Sequence, residues 1–103
     1  MKANAWEVWF AEVEFEEYTG TKKRPVLFIS KNAGIATCLK MTSHPPRDNY
    51  DYPLIHWLTA GLHKPTTVRT SKMLHIDERD LVMRIGQLQH HDIKKIQALL
   101  VKS

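Results

Sequence analysis

The stretch Arg24-Pro-Val-Leu-Phe-Ile-Ser-Lys-Asn-Ala-Gly-Ile-Ala-Thr-Cys-Leu-Lys-Met41 decides the fold. Two apolar runs, Arg24 to Ser30 and Ile35 to Met41, flank the short link Lys31-Asn-Ala-Gly34. Runs of this length bounded by turn residues read as strands. Asn32 and Gly34 are residue types that tolerate positive φ, so the link reads as a tight turn and the two runs as a hairpin. Pro25 has no N–H to give to a ladder and belongs at the strand start or at an edge.

Toward the N-terminus, Trp6 to Phe15 reads as the first strand, because Val13 and Phe15 alternate with Glu12, Glu14 and Glu16. Tyr18 to Lys23 is a polar, Gly-containing loop. Toward the C-terminus, Thr42 to Asn49 is a loop, since Pro45 and Pro46 forbid a regular ladder. Tyr50 to Ile55 reads as a short strand and His56 to Leu62 as a turn or brief helix ending at Gly61. Thr66 to Arg69 and Met73 to Ile76 are extended, and Asp77 to Arg84 includes a helical turn. Leu88 to Val101 is the one long helix: Ile93, Ile96, Leu99 and Leu100 recur at helical spacing while Lys94 and Lys95 face away. Asp92 near its start complements the helix dipole. Short strands and one terminal helix imply a mainly β fold with a C-terminal helix, a small, partly open β-barrel forming a single domain over residues 1–103.

The chain has 103 residues, 43% hydrophobic and 25% charged, which suits one globular core. No apolar run approaches the ~20 residues that span a bilayer. Met1 to Ala5 lack the apolar stretch of a signal peptide. The single cysteine, Cys38, lies in an apolar segment and reads as a buried structural thiol. These features lead us to expect a reducing, cytoplasmic setting. The net charge of +4 favours polyanionic partners. The distribution is uneven: Trp6 to Tyr18 holds Glu7, Glu12, Glu14, Glu16 and Glu17 and no Lys or Arg, so the rest is more basic than the average. An acidic first strand beside a basic remainder can give the protein two electrostatic faces; a charged edge strand that resists aggregation is the plainer account.

Several pieces line up in order. Ala5-Trp-Glu-Val-Trp9 is followed by Gly20-Thr-Lys-Lys-Arg-Pro-Val-Leu27 and by Met41-Thr-Ser43. Then come Asp51-Tyr52, Trp57, Ala60-Gly-Leu62, Lys64-Pro-Thr-Thr-Val-Arg69 and Ile85-Gly-Gln-Leu88. Each piece alone is weak, but the ordered set, from about Trp6 to Leu100, resembles the PemK-like branch of the MazF/PemK toxins. The resemblance implies an SH3-like barrel with a C-terminal helix, usually a homodimer. It implies cleavage of single-stranded RNA at short sequences, with no metal or other cofactor, leaving a 2′,3′-cyclic phosphate and a 5′-hydroxyl. It also implies a cognate antitoxin protein whose tail blocks the RNA groove.

Such cleavage makes the 2′-hydroxyl attack the adjacent phosphorus, which needs a base, an acid and positive charge on the phosphorane. Arg24 is the candidate for that charge, because a guanidinium stays protonated and grips two phosphate oxygens; the resemblance adds a role as proton donor. Without the resemblance, a surface ion pair at a strand edge is the preferred account of Arg24. Thr42, and after it Ser43, can orient the hydroxyl or donate to phosphate, although local turn bonding is their commoner use. His44 titrates near neutrality and can act as a base, yet a lone loop histidine is more often just exposed. Lys22, Lys23, His44, Arg47, Lys64, Arg69 and Lys72 are candidate RNA contacts, each also readable as a solvated polar side chain. Arg69 matches a basic position that some members use with an acid two residues later; here that position is Ser71. Tyr50, Tyr52 and Trp57 can stack bases, but core packing is the expected fate of Trp57 and at least one tyrosine. His90, His91 and Asp92 do not form a metal site, since adjacent helical residues point in different directions. Two other functions stay open: a toxin of the same fold that poisons gyrase by binding protein, and an inactive member that only binds RNA or antitoxin.

Overall fold

A computed structural model of the chain describes residues 2–14 and 21–102. Phe15, Tyr18 and Gly20 lie outside the described residues, as do the side chains of Glu14, Thr21 and Lys22. Six strands follow one another: β1 (Glu7–Glu14), β2 (Thr21–Asn32), β3 (Ile35–Thr42), β4 (Asp51–Pro53), β5 (Thr67–Asp77) and β6 (Leu81–Gln87). A single 3₁₀ turn, Glu78–Asp80, joins β5 to β6, and the helix α1 (His90–Lys102) ends the described chain. The strands form one antiparallel sheet in the order β4-β5-β3-β2-β1-β6, with no pairing between the edges β4 and β6. This is the expected mainly β, unclosed architecture with a C-terminal helix.

The central hairpin forms as its sequence requires, with one shift. Asn32 pairs with Ile35, so the loop has two residues, Ala33 and Gly34, at φ 52° and 80°. Positive φ at both positions is the signature of a type I′ loop, whose twist matches that of the strands. Ala33, not Asn32, therefore takes the second left-handed conformation.

Three elements differ from expectation. β2 starts at Thr21 instead of Arg24, because residues 21–23 pair with Glu14, Val13 and Glu12 of β1. Lys23 opposite Glu12 is a favourable cross-strand charge pair, which a reading based on apolar content overlooks. The two extended pieces around 66–76 are one strand with a bulge. Leu39 pairs with Met73 but Lys40 with Arg69, so Thr70, Ser71 and Lys72 have no partner on β3. Thr70 is held there by its N–H (3.1 Å) and hydroxyl (2.6 Å), which both donate to the Tyr50 carbonyl. Finally, 81–87 is a strand throughout. It is a largely exposed edge strand, so no alternation marks it in the sequence.

Alternate residues feed two apolar clusters. Val8, Leu27, Leu39 and Val68 pack with Leu54, Ala60, Leu62, Leu88 and Ile96; Trp9, Val26, Phe28, Cys38, Ile76 and Leu81 form the other. Burial on both faces explains why Val26-Leu-Phe28 is continuously apolar. Trp57 and Tyr52 pack on the first cluster, as do Ile93 and Leu100 of the helix. Burial pushes the Cys38 thiol up to about 12, the inert structural thiol its context suggests.

Asp92 does more than face a dipole. Fully buried, it accepts hydrogen bonds from the Tyr52 hydroxyl (2.6 Å), the Ile55 N–H (3.2 Å) and the His56 N–H (2.9 Å). Burial, and next the bond to Asp92, raise the Tyr52 phenol well above its ordinary value. The helix start is thus tied to the segment that follows β4. That segment meets β6 backbone to backbone. A Cβ at Gly61 (φ 89°) would lie 2.6 Å from the Ile85 carbonyl oxygen, and one at Gly86 would collide with the carbonyl of Ala60. Glycine at both positions lets the connection cross the open side of the sheet.

Candidate functional site

A groove of about 290 Å³ opens where β2, β3 and β5 meet the loop after β3 and the connection before β5. β2 supplies Arg24 and Pro25, and β3 supplies Lys40, Met41 and Thr42. The next loop adds Ser43, His44 and Arg47; the later connection adds 61–64 and Thr66; β5 adds Arg69. Phe10 and Ile85 give apolar surface from β1 and β6. Arg24, Thr42, Ser43, His44, Arg47, Lys64 and Arg69, singled out from sequence, all line this one groove. Lys23 and Lys72 are exposed and do not line it, and the Lys22 side chain lies outside the described residues.

Strand register explains the convergence. Val26 pairs with Lys40, Lys40 with Arg69, and Arg69 with Asp51, a row across β2, β3, β5 and β4. Directly opposed residues of antiparallel strands project to the same face. The bulge at 70–72 sets the phase that brings Arg69 opposite Lys40.

Asp51 is the main acid of the site, and its side chain is fully buried. Its Oδ2 lies 3.6 Å from Arg69 Nη1 and 3.7 Å from Arg47 Nε, and accepts the Arg47 backbone N–H at 3.0 Å. The Arg69 side chain is 7% exposed, whereas that of Arg47 is 58% exposed. At 3.6 Å the Arg69–Asp51 contact is electrostatic and not a hydrogen bond. Asp51 Oδ1, Arg69 Nε and Arg69 Nη1 are accordingly buried without a hydrogen-bond partner. Burying donors without an acceptor is costly.

Thr42 ends β3, and its Oγ1 accepts the His44 N–H at 3.2 Å, the local turn bond typical of threonine. A hydroxyl that accepts there still has its own proton to donate. Ser43 and His44 are exposed at the rim. Tyr50 is 37% exposed and does not line the groove.

Sequence reasoning passed over three residues. Lys40 is the one charge in an otherwise uncharged strand, a signal that was available. Asp51 appears in sequence only as part of a resembling block; its partnership with Arg69 depends on register. His63 has no local signature beyond the basic pair His63-Lys64 before Pro65. Among the described residues no three His, Cys, Asp or Glu side chains gather to hold a metal, and no helix is long and apolar enough to cross a membrane.

Comparison with solved structures shows the fold at low identity. The Mycobacterium tuberculosis toxin MazF-mt6 superposes with a TM-score of 0.77 at 19% identity, covering 93% of each chain. An endoribonuclease from a mycobacterial species, in complex with its cognate antitoxin, gives 0.76 at 13% identity, covering 98% of this chain and 93% of that one. The MazE–MazF complex of Deinococcus radiodurans gives 0.75 at 15% identity, covering 97% and 94%. A sequence search of curated proteins gives no significant match. The model of one sequence family, described as the PemK-like, MazF-like toxin of type II toxin–antitoxin systems, matches residues 4–103. With nearly the whole sequence matched and the fold in agreement, the chain belongs to the PemK-like, MazF-like family of type II toxin–antitoxin toxins.

Proposed function

We propose that this toxin is a metal-independent, sequence-selective endoribonuclease that acts on single-stranded mRNA in the cytoplasm. The supporting observation is the buried Arg69 guanidinium, ion-paired with Asp51 and with two nitrogens that make no hydrogen bond, in the same groove as Arg24, Thr42 and Ser43. In this reading the 2′-hydroxyl attacks the adjacent phosphorus, and the charge that gathers on the phosphorane oxygens is met by Arg24 and Arg69. Preorganised donors in a partly dry site stabilise that charge more than water does. Thr42, with Ser43 beside it, orients the attacking hydroxyl. Lys40, Arg47 and Lys64 hold flanking phosphates. Lys23 and Lys72, off the groove, are not part of the proposed contact set. The acid missing at Ser71 is replaced, for Arg69, by Asp51 on the neighbouring strand.

The partners follow from the same surface. A basic groove attracts the acidic tail of a cognate antitoxin as well as RNA, so the two compete. The protein acts as a homodimer with grooves shaped by both copies. One set of measurements tests this reading. Purified protein in excess chelator should cut long single-stranded RNA to 2′,3′-cyclic phosphate and 5′-hydroxyl ends. The antitoxin tail peptide should block cleavage, less so as salt rises. Intact RNA across several substrates, with contaminating nucleases excluded, would overturn the nuclease. Undiminished binding of a non-cleavable RNA in the saturated antitoxin complex would overturn the shared groove. A monomer by light scattering at high micromolar concentration would overturn the dimer.

A further inference from the structure

In-line attack by a 2′-hydroxyl moves two protons: one leaves the nucleophile and one must reach the departing 5′-oxygen. Among the described residues no carboxylate lines the groove. Its charged lining is cationic, namely Arg24, Lys40, Arg47, Lys64 and Arg69, with Asp51 fully buried behind Arg69. Arginine does not deprotonate in proteins and so cannot serve as the base. Two groove histidines remain, the side-chain type that most often serves as general acid or base. They are His44, in the loop after β3, and His63, in the connection before β5. Both residues are exposed, come from different elements and line the same cavity.

We infer that His63 is a catalytic general acid that works with His44 as general base, so that cleavage runs on a histidine pair. The inference rests on the cleavage reading above. A ring nitrogen of His44 takes the 2′-hydroxyl proton while the new P–O2′ bond forms. The P–O5′ bond breaks, and the His63 imidazolium delivers its proton to the 5′-oxygen. One proton is taken and one given, so the step needs no water, metal or oxidant. It ends with His44 protonated and His63 neutral, and exchange with solvent resets both. Arg24 and Arg69 are left to stabilise charge, and neither has to give up a proton.

A leaving-group substitution tests the assignment. A thiolate departs without protonation, so RNA with sulfur in place of the bridging 5′-oxygen does not need the acid. His63→Asn should cut ordinary RNA about a hundredfold more slowly than wild type, yet cut the sulfur-bridged substrate within about threefold of it. His44→Asn should be about a hundredfold slower on both. The wild-type rate should be bell-shaped in pH. His63→Asn should lose the decline at high pH and His44→Asn the rise from low pH, because the acid must be protonated and the base neutral. Both rings are exposed, so the melting temperature and the affinity for a 2′-deoxy analogue should be retained. His63→Asn at wild-type rate on ordinary RNA overturns the assignment, as does a variant equally slow on both substrates. Wild-type protein that cuts neither substrate removes the nuclease reading itself, and this inference with it.

Discussion

Replacing Arg24 by alanine should slow RNA cleavage by about a hundredfold or more, equivalent to roughly 2.7 kcal/mol of lost transition-state stabilisation. The melting temperature should move by no more than a few degrees. Arg24 stands on β2 opposite Ala11 of β1, half-buried at the groove wall. Its backbone pairing does not depend on its side chain. Arg24→Lys separates charge from geometry: a lysine restores the positive charge but not the planar fork that grips two phosphate oxygens. The lysine variant should therefore recover only part of the lost rate. Arg24→Ala with near wild-type cleavage would remove Arg24 from the chemistry. A collapse of the fold would show that the residue is structural.

Arg24 was legible in sequence through the Arg-Pro-apolar block that carries the family resemblance; its surroundings alone point to a surface ion pair. The β2–β3 hairpin and the terminal helix were readable because both carry strong apolar patterns. The edge strand β6 was not readable, because only Leu81 of its seven residues is buried and a solvated edge imposes no alternation. The start of β2 was hidden for a related reason: Lys23 earns its place by pairing with Glu12, and a contact across strands leaves no trace in local composition.

The site shows the same division. Seven candidate positions converge on the groove because strand ends and the loops beside them gather there, and those segments were identifiable. What the sequence could not supply was phase. One bulge residue more or fewer in 70–72 would turn Arg69 to the other face. Chain order offers only Ser71 where an acid for Arg69 is expected, but the carboxylate comes from β4, joined to β5 by 13 intervening residues, 54–66. Asp92 was likewise placed correctly on the helix and given too small a role, because the groups it binds, Tyr52, Ile55 and His56, lie 36 to 40 residues away.

The Asp51–Arg69 pair allows the strongest test of how fold and site depend on each other. Asp51→Asn keeps the shape and an acceptor for the Arg47 N–H but removes the charge facing a guanidinium that is 7% exposed. Breaking a buried pair from one side typically costs about 3–5 kcal/mol, because the other charge is left uncompensated. The lower end is expected here: the pair is 3.6 Å apart, and Arg69 borders a groove into which it can shift. Arg69→Met removes the cation and leaves a side chain of similar length. Asp51→Asn combined with Arg69→Met removes both charges, so the double variant should be more stable than the sum of the single losses predicts, by about 1 kcal/mol or more. Denaturant midpoints at constant slope give these values. Cleavage should not follow the same pattern. Asp51→Asn lets Arg69 drift and lowers the rate, and the double variant lacks Arg69 and stays slow although its stability returns. Strictly additive stability losses would show that the two side chains do not interact. A double variant that regained cleavage along with stability would show that Arg69 acts only on the fold, and the oxyanion contact proposed for its guanidinium would have to be abandoned.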